Sequence, residues 1–189
     1  MSADSSNPER LLTALDEFLA HPVSLVLYGR ASLLLGFERT NPEFGSTKDV
    51  DAIIRLAELD VLVNDEGFWD ARDAVNERFK DEGLYITHLF QEDQVFLRPD
   101  WEQYILPLTR PATRWLKLFR PHTVDLILTK MMRGDDSQDM EDVEFLVRHD
   151  GITLEQMEPA FANVRMPDIP ELHDAFQRAL PRVREILRR

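Results

Sequence analysis

Along the first sixty residues the apolar positions change their period twice. Leu11, Leu12, Leu15, Phe18 and Leu19 recur at helical intervals and make one stripe, with Asn7 placed as N-cap, Pro8 at the first helical position and an end near His21-Pro22. Residues 24–27 are a short apolar run that reads as a strand, and Gly29 turns the chain into a helix over 31–36. Asn41-Pro42-Glu43-Phe44-Gly45 is a loop by composition, and 50–54 forms a second strand. From Asp65 the stripe Phe68, Trp69, Ala71, Ala74, Val75, Phe79 predicts an amphipathic helix that stops near Gly83.

Two strand-like runs follow, 85–90 and 94–97, joined by Gln91-Glu92-Asp93 as a hairpin, and 115–119 is a further strand. After Pro121 every periodic stretch is helical: 124–133, 140–148, 154–164 and 171–187. Thr153 and Gln156 have capping-box spacing, 166–170 is a loop, and Pro181 is expected to kink or divide the last helix. Mixed strands and helices followed by helices alone predict an α+β chain, with a sheet core over 1–120 and a helical C-terminal part over 121–189 packed on it.

Composition narrows the function classes. The chain has 189 residues, no cysteine, and a formal net charge of −13. Disulfides and thiolate metal sites are therefore excluded. Nucleic-acid binding draws much of its affinity from Lys and Arg neutralising phosphates, so an extended nucleic-acid interface is not expected. The basic residues Arg178, Arg182, Arg184, Arg188 and Arg189 read as the solvated, dipole-complementing end of the last helix. The N-terminus is short and acidic with no apolar block, and no run approaches a membrane span, so a cytoplasmic location without membrane contact is expected.

The chemistry concentrates in Val26-Leu27-Tyr28-Gly29-Arg30-Ala31-Ser32 and in Ser46-Thr47-Lys48-Asp49-Val50-Asp51. Residues i and i+2 of a strand share a face, so Asp49 and Asp51 project together while Val50 packs on the other side. Two carboxylates on one face can hold a hard divalent cation, and a glycine turn at a helix N-terminus can hold the phosphates that such a cation bridges.

These residues resemble the nucleotidyltransferase superfamily, whose signature is a hydrophobic residue, Gly and then Gly or Ser in a strand-to-helix turn, with Asp-x-Asp on the next strand. The likeness extends to a bacterial branch that includes the AbiEii-type toxins and many small uncharacterised nucleotidyltransferase-like proteins. That branch has a helical segment similar to Asp125-Leu126 through Lys130 and Arg133 to Asp139 and Asp142 here. The resemblance implies a mixed sheet flanked by helices, the fold of DNA polymerase beta. It also implies a nucleoside triphosphate as substrate, Mg²⁺ or Mn²⁺ on Asp49 and Asp51, and catalytic roles for Asp49, Asp51 and Lys130. Gly29, Arg30, Ser32 and Lys48 would bind the nucleotide. RNA at a local site is the implied acceptor, in a toxin–antitoxin setting with a protein partner.

Several positions keep two readings. Arg30 stands where the family has Gly or Ser, and its guanidinium either blocks the turn or binds phosphate itself. Glu92 and Asp93 are either the third carboxylate that the superfamily commonly draws from a neighbouring strand or plain turn residues. Lys130 lies in an apolar helix and needs an anion, which Asp139 and Asp142, with Arg133 nearby, or a nucleotide phosphate could supply. The leading expectation is transfer of a nucleotidyl group, and the alternative is a non-catalytic homologue that binds or regulates.

Overall fold

A computed structural model describes residues 5–189 apart from the side chain of His88, and residues 1–4, where the N-terminal reading begins, lie outside the described residues. The chain forms two compact units. One takes the residues up to Gln91 with Leu106–Arg120, and the other takes Glu92–Ile105 with Pro121–Arg189.

The first unit runs α1 (Asn7–Phe18), β1 (Val23–Tyr28), α2 (Gly29–Gly36), β2 (Asp49–Ile54), α3 (Leu56–Val63), α4 (Glu66–Phe79), β3 (Tyr85–Gln91), β4 (Leu106–Pro107) and β5 (Leu116–Arg120). Its five-stranded sheet has the order β3-β2-β1-β5-β4. β1 pairs antiparallel with β2 and parallel with β5; β2 pairs parallel with β3, and β4 antiparallel with β5. The sheet is thus mixed and flanked by helices, as an α+β fold requires.

Strand alternation decides what each face carries. Val23, Leu25 and Leu27 of β1, Val50, Ala52 and Ile54 of β2, and Leu116 and Leu118 of β5 join one core with Leu11, Leu12 and Leu15 of α1 and Phe68, Val75 and Phe79 of α4. Fully burying such a side chain is worth roughly 1.5–3 kcal/mol, so this face anchors the unit. Asp49 and Asp51 are out of phase with that set and stand on the opposite face. The end of α1 is tied to the approach to β5 by Asp16, whose carboxylate accepts the backbone N–H groups of Arg114, Trp115 and Leu116 at 2.8, 2.7 and 2.7 Å.

Local signals explain several departures from expectation. α1 is capped by Ser6, with a full capping box to Glu9, which leaves Asn7 and Pro8 inside the helix. The side chain of Ser6 reaches the N3 amide, and Glu9 reaches back, so the reciprocal pair wins over Asn7. Pro42–Ser46 is a 3-10 turn capped by the Asn41 side chain. α3 gave no sequence signal because Leu-Ala-Glu-Leu-Asp-Val-Leu-Val has no side-chain cap and leaves Leu56, Val61 and Val63 exposed. The hairpin expected over 85–97 does not form. Glu92–Gln94 is a 3-10 turn, Val95, Phe96 and Leu97 are all fully buried, and Leu97 exchanges both backbone hydrogen bonds with Arg165. Continuous burial leaves no polar face for a solvated hairpin arm, so β3 remains the sheet edge.

At the end of α2 the backbone meets β5 closely. A Cβ on Gly36 would fall inside the Arg120 side chain, 2.7 Å from its Nε, and Arg120 cannot easily move because it is buried and stacked on the Phe37 ring at 4.1 Å. Gly36→Ala is expected to destabilise the chain by about 1–3 kcal/mol. Adding Arg120→Ala should recover part of that loss, and a double-mutant cycle in urea measures the coupling.

The second unit consists of the segment Glu92–Ile105 and four helices, α5 (Thr123–Lys130), α6 (Ser137–Asp150), α7 (Leu154–Asn163) and α8 (Pro170–Leu187). The capping box of Thr153 and Gln156 opens α7 as expected. Phe176 of α8 packs edge to face on both Phe96 and Phe161. α8 runs through Pro181 without division. Pro181 is exposed, so the carbonyl released on the preceding turn can meet water. Arg98 forks onto the buried Asp125 carboxylate at 2.7 and 3.2 Å and donates its backbone N–H to the same group. Among the described residues no helix is long and apolar enough to cross a membrane.

Candidate functional site

Gly29 opens α2 with φ +67°, a conformation that glycine adopts without penalty. The chain therefore leaves β1 at Tyr28 in extended backbone and enters the helix within one residue. In the neighbouring antiparallel strand Tyr28 is the register partner of Asp51. The consequence is a close approach: the Asp51 Oδ2 lies 3.4 Å from where a Cβ on Gly29 would sit. The missing side chain of Gly29 leaves room beside that carboxylate.

Each aspartate meets a hydroxyl. Thr47 Oγ1 donates to Asp49 Oδ1 at 2.8 Å, and Thr87 Oγ1 from β3 donates to Asp51 Oδ1 at 3.4 Å. Burial, then the charges of Asp51 and Asp49, push the Tyr28 phenol far above its ordinary value. It therefore stays protonated and can only donate or accept a hydrogen bond as a neutral group. The ring of Tyr28 packs edge to face on Phe90, 6.2 Å between centroids.

The remaining residues expected in the site divide between the two units. Ser32 is fully buried and its hydroxyl donates to the Gly29 carbonyl at 2.8 Å, which braces the turn from within the helix. The Arg30 guanidinium lies over the Phe44 ring, 5.4 Å from its centroid. Lys48 is exposed and one residue out of phase with the two aspartates, while its carbonyl accepts the Tyr85 N–H and extends the ladder.

Lys130, Arg133, Asp139, Asp142, Glu92 and Asp93 belong to the second unit. There Lys130 Nζ donates to Asp139 at 3.1 Å and to Asp142 at 2.6 Å, with all three side chains buried. Arg133 adds a 2.6 Å bond to the other Asp139 oxygen. Burial pushes the Asp139 carboxyl up, but Arg133 and Lys130 more than offset that and hold it below its ordinary value. Glu92 is buried and ion-paired with Arg165 at 2.8 Å. Three of the C-terminal arginines are engaged as well: Arg182 and Arg189 with Glu185, and Arg184 with Glu158.

Among the described residues no group of three or more carboxylate, imidazole or thiolate side chains gathers into a metal site. Two carboxylates nevertheless suit Mg²⁺ carried by a nucleotide, because that ion takes one or two protein carboxylates and draws its other ligands from phosphate and water. The donor set and the space left at Gly29 both fit such a group.

Thr47, Thr87 and Tyr28 are the neighbours of the aspartates that the sequence did not assign. Thr47 carried a signal, since its hydroxyl sits two residues before Asp49. Thr87 carried none, because its proximity to Asp51 comes from strand pairing. Residues 10–171 match a family model described as "Nucleotidyltransferase of unknown function (DUF6036)". No curated protein and no solved structure gives a match.

Proposed function

The chain belongs to this family of nucleotidyltransferases of unknown function, and from that premise we propose that it binds a nucleoside triphosphate with Mg²⁺ or Mn²⁺ at the Gly29 turn and transfers the nucleotidyl group to an acceptor. The observation that carries the reading is the approach of the Asp51 carboxylate to the turn, 3.4 Å from the absent Gly29 Cβ. Phosphates in that turn would lie beside the carboxylates of Asp49 and Asp51, which would hold the cation. When bound, such an ion neutralises phosphate charge and aligns the attacking and leaving oxygens.

The other residues act around that pair. The N–H groups that open α2 would receive the phosphates, and the Ser32 hydroxyl braces that turn through the Gly29 carbonyl. Tyr28 supplies a protonated hydroxyl next to two negative charges. Arg30, which lies over the Phe44 ring, would meet a phosphate by swinging from that ring toward the turn. In the likeness to the AbiEii-type branch the acceptor is RNA, engaged at an end or a loop. The net charge of −13 supports a small footprint.

A second reading, binding without transfer, is favoured by Lys130, which the resemblance makes catalytic but which two buried carboxylates already hold. Pyrophosphate release from labelled triphosphates, with tRNA-sized RNA and small alcohols as acceptors, separates the two readings.

Binding itself is tested by thermal melting with Mg²⁺ and each nucleoside triphosphate. A ligand at 100 times its Kd adds about 2.7 kcal/mol, which is about 5–10 °C for a chain of this size. Asp49→Asn or Asp51→Asn should abolish the shift. The apo variants should be as stable as the parent or slightly more so, because one of two like charges on the same strand face is gone. An Asn variant that keeps the full shift would falsify the assignment.

A further inference from the structure

β3 carries one residue more than β2 at the level of Asp51. Val50 pairs with Ile86 and Ala52 pairs with Leu89, so Asp51 alone stands opposite Thr87 and His88. This is a β-bulge, and it reverses the phase of the strand. Ile86 belongs to the core cluster and Leu89 packs against it, although they are three residues apart. Thr87 faces away from the core by ordinary alternation with Ile86, and the extra residue brings Phe90 to the same face, so one stands beside Asp51 and the other against Tyr28.

The two threonines do matching work from different elements. Thr47, ahead of β2, holds Asp49 Oδ1, and Thr87, at the bulge, holds Asp51 Oδ1. The Asp51 oxygen nearest the Gly29 turn is the other one, Oδ2. A carboxylate gripped at one oxygen presents the second in a set direction, whereas an ungripped one samples several rotamers.

We infer that Thr87 is a positioning residue for the site, acting through Asp51 so that Oδ2 faces the Gly29 turn. The inference rests on the reading that Asp49 and Asp51 hold the nucleotide's divalent cation. Groups that orient a metal ligand in this way typically change metal affinity by about 10–100-fold when removed. The 3.4 Å separation is long for a hydroxyl donor, and hydrogen bonds at such sites tighten when the ligand enters.

The test is a Mn²⁺ titration of the full chain followed by electron paramagnetic resonance, counting only sites that disappear in Asp51→Asn. Thr87 is exposed on an edge strand, so Thr87→Val should fold and melt like the parent. It should bind Mn²⁺ about tenfold more weakly, and Thr87→Ser, which restores the hydroxyl, should return to within about twofold. Parental affinity in Thr87→Val, or failure of Thr87→Ser to restore binding, would overturn the inference. A parent chain with no Mn²⁺ site removes the reading of the aspartate pair itself, and the inference with it.

Discussion

Lys130→Ala is expected to destabilise the chain by about 3–5 kcal/mol, the cost of leaving buried carboxylates without their cation. Asp139 and Asp142 are nearly inaccessible, and Lys130 Nζ is within hydrogen-bond distance of both. The lysine ties the end of α5 to the first turns of α6 across the Gly134 bend, where φ is +76°. Arg133 is already shared between Asp139 and Asp136, so it cannot take over the charges that the lysine leaves. Replacing all three buried members together, Lys130→Met with Asp139→Leu and Asp142→Leu, removes the charges as well as the pairing. That variant should recover most of the loss, as buried ion clusters exchanged for apolar side chains often do. Guanidinium chloride denaturation of the three proteins measures this directly.

The same cluster sets an acid limit on stability. The Asp139 carboxyl is held below its ordinary value of 3.8 in the folded chain, so its contribution is complete above that value. It is lost as pH falls through the depressed folded value, where the unfolded chain already binds the proton. Unfolding curves collected from pH 6 downward should show the parent losing stability below about pH 4 and the apolar triple variant losing less.

Phase and spacing made the strongest features legible. Asp49 and Asp51 share a face because a strand repeats every two residues, and that needs no knowledge of neighbours. Lys130 and its two acids were readable as a pair of helices closing over a glycine bend. What escaped depends on partners distant in sequence. The stretch Val95-Phe96-Leu97 reads as a strand in isolation, yet its partner is Arg165, some seventy residues on. The bulge at Thr87 exists only relative to β2, so no local pattern announces it. Leu56–Val63 is a helix without cap or stripe, shaped by its place after β2 and not by its own composition.

Gly29→Ala tests the turn and the carboxylate at once, and the chain contains its own controls. Gly29, Gly83 and Gly151 all have φ between +63° and +68°, so an alanine at any of them carries the same left-handed strain, about 1–2 kcal/mol. Around Gly83 and Gly151 a Cβ would meet nothing within 4 Å, whereas at Gly29 it would come into van der Waals contact with Asp51 Oδ2 at 3.4 Å. The three variants should therefore lose similar stability in urea. Only Gly29→Ala should also lose the melting shift produced by Mg²⁺ with nucleotide, by at least about tenfold in apparent affinity, because the methyl group occupies the space where phosphate would lie beside the carboxylate. Equal retention of the shift in all three variants would move the nucleotide away from the turn and leave Gly29 with a purely conformational task.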